Sequence, residues 1–283
     1  MTPLAWTLLA VAAVLAVVDW VALARVDVGT ALRLRSGAAG GGRVAGASEG
    51  AGGGASLAAY ADTGHTDAGP GETGYAEAGY APPPGYEEAV YVGPDDLARA
   101  SRTDRRTRPA VTLALIAFAA VVQPASRAEQ AAFLAALVLS LARDLISPDG
   151  NRWFPAAVTV SLGAHIAYIV GFQQVGWSWL WAAAGIVVVL VAALAYAVRL
   201  VLGARAAEPA LTVPVVLYVG VLSVMVVAAS ATGQPTAVAG AFLYYCADAV
   251  AGWNRFREPT PYARATIAVA YHLARVLLVV SLL

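Results

Sequence analysis

The sequence predicts an all-α membrane protein: a bundle of about eight transmembrane helices, N-out and C-out, with a long disordered cytoplasmic loop between helices 1 and 2. Three observations predict it. Of 283 residues, 59% are hydrophobic and 13% are charged, with a mean hydropathy of +0.67. A soluble domain of this size needs far more polar surface. Apolar runs that span or nearly span a bilayer recur along the chain. The arginines between those runs fall overwhelmingly on one side.

The runs are 3–24, 109–124, 128–146, 153–172, 177–202, 211–231, 235–253 and 265–283. The first lacks a basic start and is too long for a signal-peptide core, so it reads as a membrane helix. The second is short, and its boundary with the third rests on "QPASRAEQ". The chain thus divides into a first helix (1–25), a loop (26–107) and a seven-helix core (108–283). With the loop inside, 16 of 18 arginines face the same side, and such a bias marks the cytoplasmic face. Arg127 falls on the other side and Arg275 lies within a helix. An even number of spans then puts both termini outside.

Other composition features are less informative. Net charge is zero, so no bulk electrostatic case for nucleic acid exists. All basic residues are arginine, a coding bias without functional content. The single cysteine, Cys246, excludes an intrachain disulfide and a cysteine metal cluster. The loop holds 17 of the 27 glycines and cannot bury a core, which predicts disorder. Within it, Pro83, Pro84, Gly85 and Tyr86 match a WW-domain ligand pattern, although a tyrosine-bearing spacer is the plainer reading. Its basic end, 99–108, suits anionic headgroups.

A charge at the bilayer centre costs about 2.5–3.5 kcal/mol on insertion scales, so each one needs a reason. Asp19, Arg143, Asp144, His165, Asp248, His272 and Arg275 lie within the apolar runs. At about 1.5 Å per residue, most fall in the half nearer the predicted cytoplasmic face. They converge on one polar cavity open to the cytosol or inner leaflet. Tyr244, Asp248 and Gly252 share a helix face, and Arg255 joins it if the helix continues. Ser140 precedes Asp144 by four, His165 and Tyr168 are three apart, and Tyr271 precedes Arg275 by four.

Two readings of these groups stand. Asp144 with Arg143 or Arg152, and Asp248 with Arg255 or Arg275, are either ion pairs that only lock helices or parts of a functional site. Asp19, followed by Trp20, is either an interface anchor or an accessory to that site. His165 is either a packing histidine or a site residue. Two histidines and two aspartates could bind zinc, but no HExxH or paired-histidine spacing occurs, nor any nucleophile-elbow, phosphate-loop or dinucleotide pattern, so neither metal nor cofactor is expected. A proton-coupled transporter would place the same residue types in its bundle, and a non-catalytic scaffold would work through the loop.

Six segments carry a resemblance. They are Arg108-Pro109, "LSLARDLI" with Asp144, "LGAHIAYIVGF" with His165 and Tyr168, "PVVLYVGVLSVMVVAA", "GAFLYYCADAVAGWNRF" with Asp248, Asn254, Arg255 and Phe256, and "AYHLARVLLVVSL". In this order they resemble the lysoplasmalogenase, or YhhN-like, family of multi-pass membrane hydrolases over about 108–283. The chain departs from the family pattern at Arg143, usually Gly, at Ala247, often Ser, at His272, often Tyr, and at Arg275, usually Gln. The Gly-rich loop is an insertion relative to a typical member.

The resemblance implies hydrolysis of the vinyl ether bond of lysoplasmalogen, giving a fatty aldehyde and glycerophospho-ethanolamine or -choline. It implies catalytic roles for Asp144 and Asp248, with Asp248 as the buried acid and Asp144 as base or cation stabiliser. His165, Tyr168, Tyr244, Asn254, Arg255, His272 and Arg275 become substrate-binding candidates, the arginines toward phosphate, with Asp19 as an accessory. The expected partners are the lysophospholipid substrate and membrane lipid. The expected location is the cell membrane, with the site on its cytoplasmic side.

Overall fold

The computed structural model of the chain describes residues 2–40, 94–146, 153–257, 260 and 262–283. Those residues form helices without strands. In order they are α1 (Pro3–Gly40), α2 (Pro94–Val121), α3 (Arg127–Ile146), α4 (Phe154–Phe172), α5 (Trp179–Ala192), α6 (Val198–Ala207), α7 (Thr212–Ala231), α8 (Pro235–Phe256) and α9 (Ala263–Val280). A π-helical turn, Ala193–Ala197, joins α5 to α6 into one rod, so the described residues make eight helical rods. The fold is the expected all-α membrane bundle.

Five of these are long and apolar enough to cross a membrane: Pro3–Val28, Phe154–Phe172, Trp179–Ala207, Pro209–Ala231 and Ala263–Val280. The helices α2, α3 and α8 are not among them. The reason is in their sequences. The first half of α2 is rich in arginine and aspartate, α3 carries Arg127, Glu129, Arg143 and Asp144, and α8 carries Asp248 and Arg255. Charged residues thus lower the hydropathy of α2, α3 and α8, while α1, α4 and α9 carry Asp19, His165, His272 and Arg275 and still qualify.

Short connections make α3–α4 and α8–α9 antiparallel neighbours, and α1 packs on α2 across a longer separation in sequence. The pairs α1–α2, α3–α4 and α8–α9 pack side by side, α5 packs on α7, and α9 returns to α1. Local devices hold the turns. Gln130 Nε2 donates to Ala119 O at 2.7 Å and Val122 O at 2.8 Å, satisfying carbonyls that the end of α2 leaves open. Gly233 follows α7 with φ of 69°, a left-handed position that costs glycine nothing. Ser178 N donates to Ala231 O at 2.8 Å, tying the start of α5 to the end of α7. The core is aromatic and aliphatic, with Leu115, Phe118, Phe133, Leu137, Tyr168, Phe172, Met225 and Leu278 all buried. Small residues Ala237, Gly240 and Ala241 let α8 approach α9 closely.

The loop boundaries need correction. Helix α1 does not end near residue 25 but runs to Gly40, and α2 begins at Pro94, not at Pro109. Residues 26–40 and 94–107 are therefore helical. Past the apolar run, Val26 packs with Ala100, and Asp27 Oδ2 accepts from Ala265 N at 2.9 Å. Such contacts stabilise helix where hydropathy alone gives no reason for it. Pro109 sits inside α2. It removes one backbone donor from the helix. The rest of the predicted disordered loop, including the Pro83–Tyr86 pattern, lies outside the described residues.

Candidate active site

Alternation of helix direction brings the ends of α3, α6 and α8 and the starts of α4, α7 and α9 to the same end of the bundle. The ionisable groups gather toward that end as three clusters.

The first is centred on Asp144, in the last turn of α3. Arg275 of α9 forks onto both its oxygens, Nη1 to Oδ2 at 2.6 Å and Nη2 to Oδ1 at 3.0 Å. Thr112 of α2 donates to Oδ2 at 2.8 Å and accepts from Arg275 Nη1 at 2.7 Å. Arg143 adds a second guanidinium, 3.7 Å from Oδ1. Both members of the Asp144–Arg275 pair are sealed, each side chain only 1% exposed. A bidentate, charge-assisted pair of this kind fixes α2, α3 and α9 together.

The second cluster surrounds Asp248 of α8. Tyr218 of α7 donates to Oδ2 at 2.8 Å, and Tyr271 of α9 donates to Oδ1. His165 Nε2 of α4 lies 3.0 Å from the Tyr218 hydroxyl and 3.4 Å from Asp248 Oδ2. An imidazole protonated on Nε2 satisfies both, since Tyr218 can accept from it while donating to the carboxylate; that tautomer is assigned from the network. Tyr244 packs edge-on against His165 at 4.8 Å and Tyr271 at 5.2 Å. Buried His165 Nδ1, Tyr168 OH and Ser140 Oγ reach no hydrogen-bond partner.

Arg143 joins the two clusters. Its Nη2 donates to the Tyr271 hydroxyl at 3.2 Å while its Nη1 faces Asp144. The guanidinium also lies 4.6 Å from the centroid of the Tyr271 ring. Asp144 and Asp248 are therefore linked through Arg143 and Tyr271.

The third cluster is separate. Asp19 of α1 accepts from Thr107 Oγ1 of α2 at 2.7 Å. Trp20 Nε1 donates to His272 Nδ1 at 2.9 Å. That nitrogen therefore offers no proton to Asp19 Oδ2, which lies 4.0 Å away. Asp19 is fully buried, with this oxygen unpartnered.

Several residues expected to meet substrate are held by protein groups. Arg275 is 1% exposed, and both its terminal nitrogens are held by Asp144 and Thr112, with Nε buried and unpartnered. His272 is buried and held by Trp20. Arg255 turns away from Asp248 to Glu208, at 2.8 and 3.1 Å, and lies 3.7 Å over the Phe154 ring. Asn254 Oδ1 accepts from Thr260 N at 2.6 Å and Thr260 Oγ1 at 2.8 Å, holding the turn between α8 and α9. Arg152, weighed as a partner of Asp144, lies outside the described residues. His165 and Tyr244 do join Asp248, and Tyr168 packs edge-on against Phe133 at 5.1 Å.

Sequence reasoning missed Thr112 and Tyr218. Thr112 is the only hydroxyl-bearing residue between Pro109 and Val121, which was a usable signal. Tyr218 sat in view within "PVVLYVGV" but had no charged neighbour to draw attention to it.

The fold and these clusters define a multi-pass membrane protein with polar chemistry assembled inside its bundle. The sequence profile of the YhhN family matches residues 104–282, and the chain belongs to that family, the family of lysoplasmalogenases. No curated protein and no solved structure matches the chain. Membership points to a membrane hydrolase-type role. The match takes in the Asp144 and Asp248 clusters and leaves Asp19 outside.

Proposed function

We propose that this protein is an intramembrane hydrolase that cleaves the vinyl ether bond of lysoplasmalogen, with Asp248 as the acid–base group. The observation that carries this reading is the difference in access between the two carboxylates. Asp248 is 8% exposed and neighbours the 23% exposed side chain of Arg143, whereas Asp144 is 1% exposed. Of the two, Asp248 combines a cage of neutral hydrogen-bond donors with the greater exposure.

The chemistry follows from the substrate. A vinyl ether reacts by protonation at carbon, so an acid must meet an apolar chain at the chain's depth. Asp248 transfers a proton to the vinyl carbon distal to oxygen, giving an oxocarbenium ion beside the new carboxylate. Water adds to that cation and returns its proton to Asp248. The hemiacetal then collapses to the fatty aldehyde and the free glycerol hydroxyl of glycerophospho-ethanolamine or -choline. One carboxyl thus serves as acid and then as base, as in glycosidases. Tyr218, Tyr271 and His165 hold the carboxyl in place. Asp144 acts at one remove, by fixing Arg143 and Arg275. The arginine bias of the loops turns this end of the bundle to the cytoplasm.

The test is purified protein in detergent with lysoplasmalogen and mass detection of aldehyde. The parent should release aldehyde, and an ester-linked lysophospholipid should be untouched, since no nucleophile with an oxyanion hole is assembled among the described residues. A folded parent that releases no aldehyde overturns the reading.

A further inference from the structure

A pocket lies away from both carboxylates. It has a volume of about 440 Å³, is open to the surface, and is lined by Gly203, Ala206 and Ala207 of α6 with Trp253, Phe256 and Arg257 at the end of α8. That volume falls in the roughly 300–1,000 Å³ range of small-molecule sites. Gly203 makes it possible for the two helix ends to meet. A Cβ there would stand 2.6 Å from Phe256 O and 2.6 Å from Arg257 Cδ. Tyr196, carried by the π-turn, packs at 5.6 Å on Trp253 and hydrogen-bonds Ala249 O, which steadies the aromatic wall.

The charge in this pocket is positive. Arg257 is exposed, with its guanidinium 5.7 Å from the Trp253 ring centroid. Among the described residues no carboxylate pairs with it. Nearby Arg255 is engaged by Glu208, so the two neighbouring arginines differ: one is neutralised and one is available. The depth also fits. Trp253 is about 7.5 Å and Arg257 about 13.5 Å beyond Asp248 along the helix axis, toward the polar end of the bundle. Tryptophan and arginine at the end of a span sit at headgroup level. A lipid whose vinyl ether lies at Asp248 must keep its chain in hydrocarbon, so its phosphate extends toward this end.

We infer that the pocket between the ends of α6 and α8 binds the phosphate of a lysophospholipid headgroup, with Arg257 as the phosphate contact and Trp253 as the wall. The inference rests on the hydrolase reading for its choice of lipid. A free phosphate shares the same chemistry, and the test separates the two.

The probe is an alkyl lysophosphoethanolamine, whose saturated ether has no double bond to protonate. Its binding to full-length protein in detergent is read directly, by native mass spectrometry or calorimetry. Arg257→Gln should weaken binding at least tenfold. Ala206→Trp, which fills the pocket from its exposed far wall, should do the same without touching the arginine. Arg205→Gln, which removes an exposed arginine outside the lining, is the charge-matched control and should bind as the parent does. Glycerophosphoethanolamine should compete and inorganic phosphate should not. Equal competition by inorganic phosphate overturns the headgroup assignment. Parental binding by folded Arg257→Gln and Ala206→Trp overturns the site. The two readings fail separately. If the parent releases no aldehyde yet binds the alkyl lipid through Arg257, the hydrolase reading falls and the pocket stands. If Arg257→Gln hydrolyses lysoplasmalogen with parental KM, the pocket falls and the hydrolase stands.

Discussion

Asp144 and Asp248 are both carboxylates inside a membrane bundle, Asp144 held from two other helices and by its neighbour Arg143, Asp248 held from three other helices. Their surroundings differ in kind. Asp144 meets guanidinium, on both oxygens and at 1% exposure. Asp248 meets neutral donors, two tyrosine hydroxyls and an imidazole, and is the more exposed of the two. An ion pair sealed in this way locks geometry, because neither charge can change without stranding the other. A carboxyl held by neutral hydroxyls can gain or lose a proton without leaving a buried cation behind. The difference separates a structural aspartate from a chemical one, although both belong to the same polar layer.

Neutralising each in turn tests that separation, and the largest effect belongs to the sealed site. Asp144→Asn leaves Arg275 as an uncompensated buried cation, which costs about 3–5 kcal/mol. A large drop in melting temperature is expected. Adding Arg275→Met should recover most of it, because the stranded charge is then gone. If Asp144→Asn melts like the parent, the lock is misassigned and Asp144 carries the chemistry directly.

Asp248→Asn should reverse the pattern. An amide keeps one acceptor for a tyrosine and offers a donor to the other, so the cost in stability is about 1 kcal/mol. Aldehyde release should fall by about 10² or more, the scale of lost general acid–base catalysis. Parental hydrolysis by a folded Asp248→Asn protein would remove Asp248 from the mechanism.

The contrast also explains what was legible in the sequence. Asp144, His165 and Asp248 stood out because an ionisable group in an apolar run is costly and therefore informative. Their partners did not. Helical spacing gives the face within one helix and says nothing about which helix lies opposite. The arginine that clamps Asp144 is 131 residues away in sequence. Arg255 seemed to share a face with Asp248 by its spacing of seven, but it lies near the end of α8, where Glu208 captures it. Helix existence was readable from hydropathy, whereas helix length was not. The extensions of α1 and α2 are polar, and they are held by contacts with each other and with α9 that no local pattern reveals.

Asp19 marks the small end of the comparison. It is as buried as Asp144, yet it has neither a guanidinium clamp nor the tyrosine cage of Asp248. One oxygen accepts from Thr107, and the other faces an imidazole nitrogen that already accepts from Trp20. Two acceptors at 4.0 Å gain nothing from each other. Asp19→Asn removes a buried negative charge that no guanidinium clamps, while the remaining oxygen still receives Thr107. The variant should therefore melt within about 1 kcal/mol of the parent, the scale of one hydrogen bond, because Thr107 and His272 both keep their partners. Hydrolysis should stay within a few fold, because neither Asp144 nor Asp248 depends on this carboxylate for a hydrogen bond. Thermal unfolding and aldehyde release on the same preparation give both readings. If Asp19→Asn instead lowers hydrolysis as far as Asp248→Asn does while melting normally, the chemistry extends into the third cluster, and the division between one locking and one reacting aspartate is too narrow.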